Sequence, residues 1–196
     1  MKKLLFGFSM LLGLIANAQT FSLTGSNPVY TQNFNTLDTS SAVSSSNLPM
    51  GWSIIELGTN SNNQYKGGTG GSNSGDTYSF GSLNSTDRSI GGLASNSLVP
   101  HFGIKFTNNT GSTITSLSVS YKGEQWRLGN TAQHVDSLIF LYSTNAINVN
   151  DTAASATWNA VNTLIFQSVI TSASASGALD GNLSANSINI SGTITV

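Results

Sequence analysis

Ser116-Leu117-Ser118-Val119-Ser120-Tyr121-Lys122-Gly123-Glu124-Gln125-Trp126-Arg127 decides the fold class. Leu117, Val119 and Tyr121 alternate with serines, the period-two signature of a strand with one apolar and one wet face. Downstream, Asp136-Ser137-Leu138-Ile139-Phe140-Leu141-Tyr142 is apolar on both faces, as expected of a strand in the middle of a sandwich. Between them, Tyr121 to Arg127 holds the densest set of charged and aromatic side chains in a chain of which only 8% is charged. Soluble proteins usually carry about a quarter.

Upstream, His101 to Phe106 places Phe102, Ile104 and Phe106 on one face. Asn108-Asn109-Thr110-Gly111-Ser112 is a turn rich in residues that tolerate left-handed backbone, so 113–121 is the expected hairpin partner of 101–106. Trp52 to Leu57 reads as a strand opened by Pro49, which lacks a ladder donor and belongs at a strand's beginning or edge. Asp76 to Gly81 alternates again, and Ser85 to Leu93 is a turn and a strand. Gly58 to Asp76, with Gly67, Gly68, Gly70 and Gly71, reads as a long surface loop. It is not a phosphate cradle, because no Lys-Ser/Thr follows and no helix starts there. Toward the end, Leu164-Ile165-Phe166 is a short apolar run, Ala173 to Asn186 a polar loop, and Ile188, Ile190, Ile194 and Val196 the start of paired strands.

Residues 19–196 contain no amphipathic helix and no repeat of solenoid length. Short strands with uneven Gly/Asn/Ser loops predict one all-β domain over 19–196, a jelly-roll-like antiparallel β-sandwich rather than a barrel. The chain stops at Thr193-Ile194-Thr195-Val196, inside an apolar strand. Sheets normally avoid a bare apolar edge, so the expectation is a sandwich truncated at its C-terminus.

Residues 1–18 read as a signal peptide: Lys2 and Lys3, an apolar run from Leu4 to Ile15 too short to span a bilayer, then Ala16-Asn17-Ala18. Cleavage after Ala18 predicts a secreted or cell-surface protein with no membrane span, beginning at Gln19, which would cyclise to pyroglutamate. The remaining basic residues are Lys66, Arg88, Lys105, Lys122 and Arg127. Against these five stand eight acids (Asp38, Glu56, Asp76, Asp87, Glu124, Asp136, Asp151 and Asp180), a net charge of −3. That balance excludes a phosphate-tracking nucleic-acid groove. The absence of cysteine excludes disulfides and thiolate metal sites. Stability has to come from packing and ladder hydrogen bonds.

Several motifs occur in a fixed order: Leu48-Pro49-Met50-Gly51-Trp52, Tyr78-Ser79-Phe80-Gly81, Ser85-Thr86-Asp87-Arg88-Ser89-Ile90-Gly91, Phe102-Gly103, Asn108-Asn109-Thr110-Gly111, Gly123-Glu124-Gln125-Trp126-Arg127 and Leu179-Asp180-Gly181-Asn182. In this order the chain resembles a largely uncharacterised family of exported Bacteroidetes-type all-β modules. These occur in surface and secreted proteins beside sorting tails, lamin-tail-like domains or extracellular nuclease domains. The resemblance covers nearly all of 19–196 and carries over no catalytic residue. It implies further strands past Val196, with an Arg-Trp-x-Asp-like motif and an Ile-Asp-Asp-like closing strand.

Three uses of the charged residues follow. As a structural polar cluster, Glu124 would pair with Arg88 and Asp87 with Arg127, with Trp126 packed over them. As a ligand site, Trp126, Arg127, Gln125, Glu124 and Tyr121 combine aromatic surface with planar polar groups, which suits a polysaccharide or surface matrix, with Tyr65 and Trp52 as further stacking surface. As a catalytic site, Glu124 would act with Asp136 or Asp87 across a glycosidic bond, but no Glu-x-Asp strand pattern supports it. No Gly-x-Ser-x-Gly elbow accompanies His101 or His134, and His134-Val135-Asp136 is too small a set for a metal site. Asp76, Asp180 and the asparagine-rich loops offer the oxygen ligands that a structural Ca²⁺ takes, without a recognisable spacing. The expectation is a non-catalytic module without a cofactor, either binding glycan or matrix or serving as an accessory domain of an extracellular enzyme such as a nuclease.

Overall fold

The computed structural model describes residues 19–149, 151 and 156–196. The proposed signal peptide therefore lies outside the described residues. The first strands are β1 (Phe21–Leu23), β2 (Trp52–Leu57), β3 (Tyr65–Gly68), β4 (Asp76–Phe80), β5 (Ser89–Leu93), β6 (Val99–Ile104) and β7 (Phe106–Asn108). The middle of the chain gives β8 (Ser116–Glu124), then the two-residue β9 (Arg127–Leu128), β10 (Ser137–Leu138), β11 (Leu141–Tyr142) and β12 (Asn159–Ala160). The last are β13 (Phe166–Gln167), β14 (Gly177–Ala178) and β15 (Ser187–Thr195). Among the described residues the helical elements are single 3₁₀ turns at Asn162–Leu164 and Ser184–Asn186, and no helix is long and apolar enough to cross a membrane. The architecture is the expected all-β sandwich, with no closed barrel among the described residues.

Residues 19–108 form one half. β2 pairs antiparallel with β6, bringing Ile54 opposite Phe102. β4 lies between parallel β3 and antiparallel β5. Where these sheets meet, Leu37, Ile54 and Tyr65 are buried against Phe34, Leu48, Ile90 and Phe102. β1 runs parallel to β7 and is held by edge-to-face contacts among Phe21, Tyr30 and Phe106, with centroids 4.6 to 6.1 Å apart.

The other half is organised by the nine-residue β8–β15 ribbon. Its apolar face pairs Leu117 with Ile194, Val119 with Gly192, Tyr121 with Ile190 and Gly123 with Ile188. Residues 134–142 and 156–171 fold onto that face as a second layer. Tyr121 stacks on Phe140 at 6.4 Å and donates its hydroxyl to the Leu164 carbonyl at 2.6 Å. Phe166 and Leu164 press on Gly123 and Gly192, where a Cβ would collide with them.

Three local expectations are corrected. The hairpin of 101–106 with 113–121 does not form, because β6 is taken by β2 and β8 by β15. The segment from Asp136 to Tyr142 is no central strand. It makes two two-residue ladders on one side only, and Leu138, Ile139 and Leu141 are exposed while Phe140 and Tyr142 are half-buried. The supposed loop from Gly58 to Asp76 contains β3, whose Tyr65 is 1% exposed. Its hydroxyl donates to the Asn47 carbonyl and accepts from the Asp38 N–H, anchoring the polar loop before β2.

Candidate functional site

Gln125 and Trp126 turn the corner between the β8–β15 ribbon and the short β9–β14 ladder. The Gln125 N–H extends the ribbon by one bond, to the Asn186 carbonyl at 2.8 Å. Its side-chain amide then mimics a strand partner: Nε2 donates to the Ile170 carbonyl at 2.9 Å and Oε1 accepts the Ile170 N–H at 2.7 Å. Nε2 also donates to the Arg127 carbonyl at 3.2 Å. One buried amide thus ties the ribbon to the layer packed on it.

Trp126 reaches the other way and is 5% exposed. Its ring stacks on Phe80 of β4, centroids 6.1 Å apart and planes 6° apart, and Phe80 stacks on Tyr78 at 5.1 Å. The indole Nε1–H is shared between Glu124 Oε2 at 3.0 Å and Ser89 Oγ at 3.2 Å. Two glycines make this close fit possible. A Cβ on Gly181 would sit 2.5 Å from Nε1, and one on Gly70 would overlap the Trp126 carbonyl oxygen. Gly70 also has φ of +80°, so both the space and the backbone conformation require glycine there. Arg127 Nη1 closes the joint by donating to the Gly70 and Gly71 carbonyls at 3.0 and 3.2 Å.

The expected cross-pairs are not made. Glu124 meets Lys122 Nζ at 3.1 Å along its own strand. Arg88 points into the sheet, where Nε donates to Ser79 Oγ at 2.9 Å and Nη2 to the Ser79 carbonyl. Burial pulls its guanidinium below the ordinary pKa. Asp87 stays exposed on the preceding turn, its N–H bonded to Ser85 Oγ. Arg88, Glu124 and Arg127 therefore brace separate contacts, and Asp87 stays outside them, so the four do not form one ion cluster. Tyr121 lies under the second layer, and burial raises its phenol pKa. His134 and Asp136 form an exposed pair at 3.2 Å. Among the described residues no group of three acidic, histidine or cysteine side chains is placed to hold a metal ion.

A second polar centre was not singled out in the sequence. Glu56 is 4% exposed, and its carboxylate accepts four hydrogen bonds. These come from the N–H groups of Asn62, Asn63 and Thr77 and from the Thr77 hydroxyl, at 2.8 to 3.2 Å. The signal was present: Glu56 is two residues from buried Ile54, on the same inward face of β2. Beside it Lys66 pairs with Asp76 at 2.7 Å, and that hydrogen bond raises the lysine pKa. Both centres are saturated from within: among the described residues no buried side-chain N or O lacks a partner.

The exposed polar surface lies elsewhere. The β8–β15 ribbon carries a shallow depression lined by Ser120, Tyr121, Lys122, Asn189, Ile190 and Ser191, and of these Ser120, Lys122, Asn189 and Ser191 are exposed. Comparison with family models, with curated proteins and with solved structures finds no match to the chain.

Proposed function

We propose that this chain is a non-catalytic β-sandwich module of an exported cell-surface or secreted protein, serving as a structural accessory domain. One observation carries the reading: Glu124, Gln125, Trp126 and Arg127, the residues most suited to chemistry, bond to the protein's own backbone and side chains. A carboxylate that shares the indole N–H and a lysine, beside a buried tryptophan, is built to hold two layers together. A catalytic acid pair would need carboxylates facing a cleft.

A second reading, glycan or matrix binding, rests on the ribbon depression, where two hydroxyls, an amide and an ammonium face solvent. It uses Lys122 and Asn189 rather than the buried Trp126 platform. Retention on a panel of insoluble polysaccharides separates the two. The accessory reading predicts no retention of the wild-type protein. Retention that disappears in Lys122→Ala/Asn189→Ala, at unchanged melting temperature, would replace it with the binding reading.

A further inference from the structure

The β8–β15 ladder assigns its own hydrogen-bond parity. Gln125 N–H bonds to the Asn186 carbonyl at one end and Val196 N–H to the Thr115 carbonyl at the other, both in the ribbon's register. In an antiparallel pair, residues that exchange bonds alternate with residues whose N–H and C=O face away. On β15 the inward set is therefore Ile188, Ile190, Gly192 and Ile194. Ser187, Asn189, Ser191, Thr193 and Thr195 turn their backbone groups outward. Among the described residues that outer row meets only the Tyr142 hydroxyl, which donates to the Thr195 carbonyl at 2.7 Å.

An edge of this length is normally guarded by a lysine, a proline or a bulge. The opposite edge, β8, carries Lys122 and Glu124. β15, Ser-Ile-Asn-Ile-Ser-Gly-Thr-Ile-Thr over 187–195, has no charge and no proline. Its Ile188 is 50% exposed on what is otherwise the packed face.

We propose that β15 is a strand-addition edge whose occupant is β15 of a second copy of this chain, paired antiparallel about a two-fold axis at Ser191. That register suits both sets of residues. Ser191 faces its own copy, Asn189 faces Thr193 and Ser187 faces Thr195, so each outward N–H meets an outward carbonyl and no charges oppose; at Thr195 the carbonyl accepts through its second lone pair, the first being taken by the Tyr142 hydroxyl. On the apolar face Ile188 meets Ile194 and Ile190 meets Gly192, which covers exposed Ile188 and sets large against small. A two-fold contact uses the same patch on both partners and closes on itself. The two ribbons become one four-stranded sheet.

Sedimentation equilibrium of the full mature chain tests this. The wild type is expected at twice the monomer mass. Ser191→Pro removes an N–H that β8 does not use and is expected to run as a monomer that still unfolds cooperatively, with a melting temperature that no longer depends on protein concentration. Asn189→Lys/Thr193→Lys sets lysine opposite lysine and is expected to dissociate in low salt and recover partly in high salt. Ser118→Pro makes the same backbone change on the β8 edge and is expected to leave the dimer intact. A monomeric wild type, the result expected if a strand following Val196 pairs with β15 within one chain, overturns the proposal, and so does a dimer that survives both β15 variants. So does dissociation by Ser118→Pro, which would place the contact on β8.

Discussion

Residues 19–108 and residues 116–196 are made of the same kind of strand but dispose of their polar backbone differently. In the first half, β4 is paired on both sides and Glu56 and Arg88 are buried with partners. In the second half, a long two-stranded ribbon keeps open edges, and Leu138, Ile139, Leu141 and Ile188 remain exposed. A buried charge with all its hydrogen bonds made rigidifies its surroundings, whereas an open ribbon depends on what it docks against. The second half docks through Trp126 and Arg127. The difference teaches that the most chemically suggestive segment of this chain sits at the joint between its two halves, where it works as a fastening.

The comparison breaks hardest at that joint. Trp126→Ala is expected to lose about 3–5 kcal/mol in urea unfolding, the usual range for deleting a buried aromatic. Gly70→Ala attacks the same contact from the other side, and its positive φ and overlap with the Trp126 carbonyl predict a loss of about 2 kcal/mol, read as a lower melting temperature. In the first half, Glu56→Gln turns an acceptor-only group into one with an amide donor facing N–H groups, for a loss of about 1–3 kcal/mol.

Alkali sharpens the contrast by reaching both halves. The Lys66 pKa is raised in the folded state above its ordinary 10.5, so its contribution is complete below that value and is lost as pH rises through the folded pKa. The Tyr121 phenol is raised above 10.0, so the unfolded chain ionises first and stability falls above that pH. A melting-temperature profile is expected to be flat at neutral pH and to drop above about pH 10, less steeply in Tyr121→Phe. The smallest effect belongs to the surface: Lys122→Ala removes a partly exposed pair and should change stability by at most about 1 kcal/mol.

Much of the fold was legible where alternation was clean. Trp52–Leu57 and the serine-interleaved β8 are strands as read. Partners were less legible, because pairing here is mostly remote in sequence. A good turn at 108–112 suggested a local hairpin, but β6 returns to β2 and β8 waits for β15. β3 was hidden because its glycines look like loop, although they let Tyr78 and the Asp38 loop approach closely. At the candidate site, residue types pointed to Glu124–Arg127 as a centre of interactions. Their direction could not be read: whether a tryptophan offers its face to a sugar or to Phe80 depends on a strand far away in the chain.

Site-resolved hydrogen exchange on Trp126→Ala tests the fastening role most directly. If the corner joins two layers, amides of β8 and β15 lose protection by several orders of magnitude, while those of β2, β4 and β6 keep most of theirs. Unchanged protection throughout, with retention on a polysaccharide present in the wild type and lost in the variant, would contradict it and make Trp126 a binding residue.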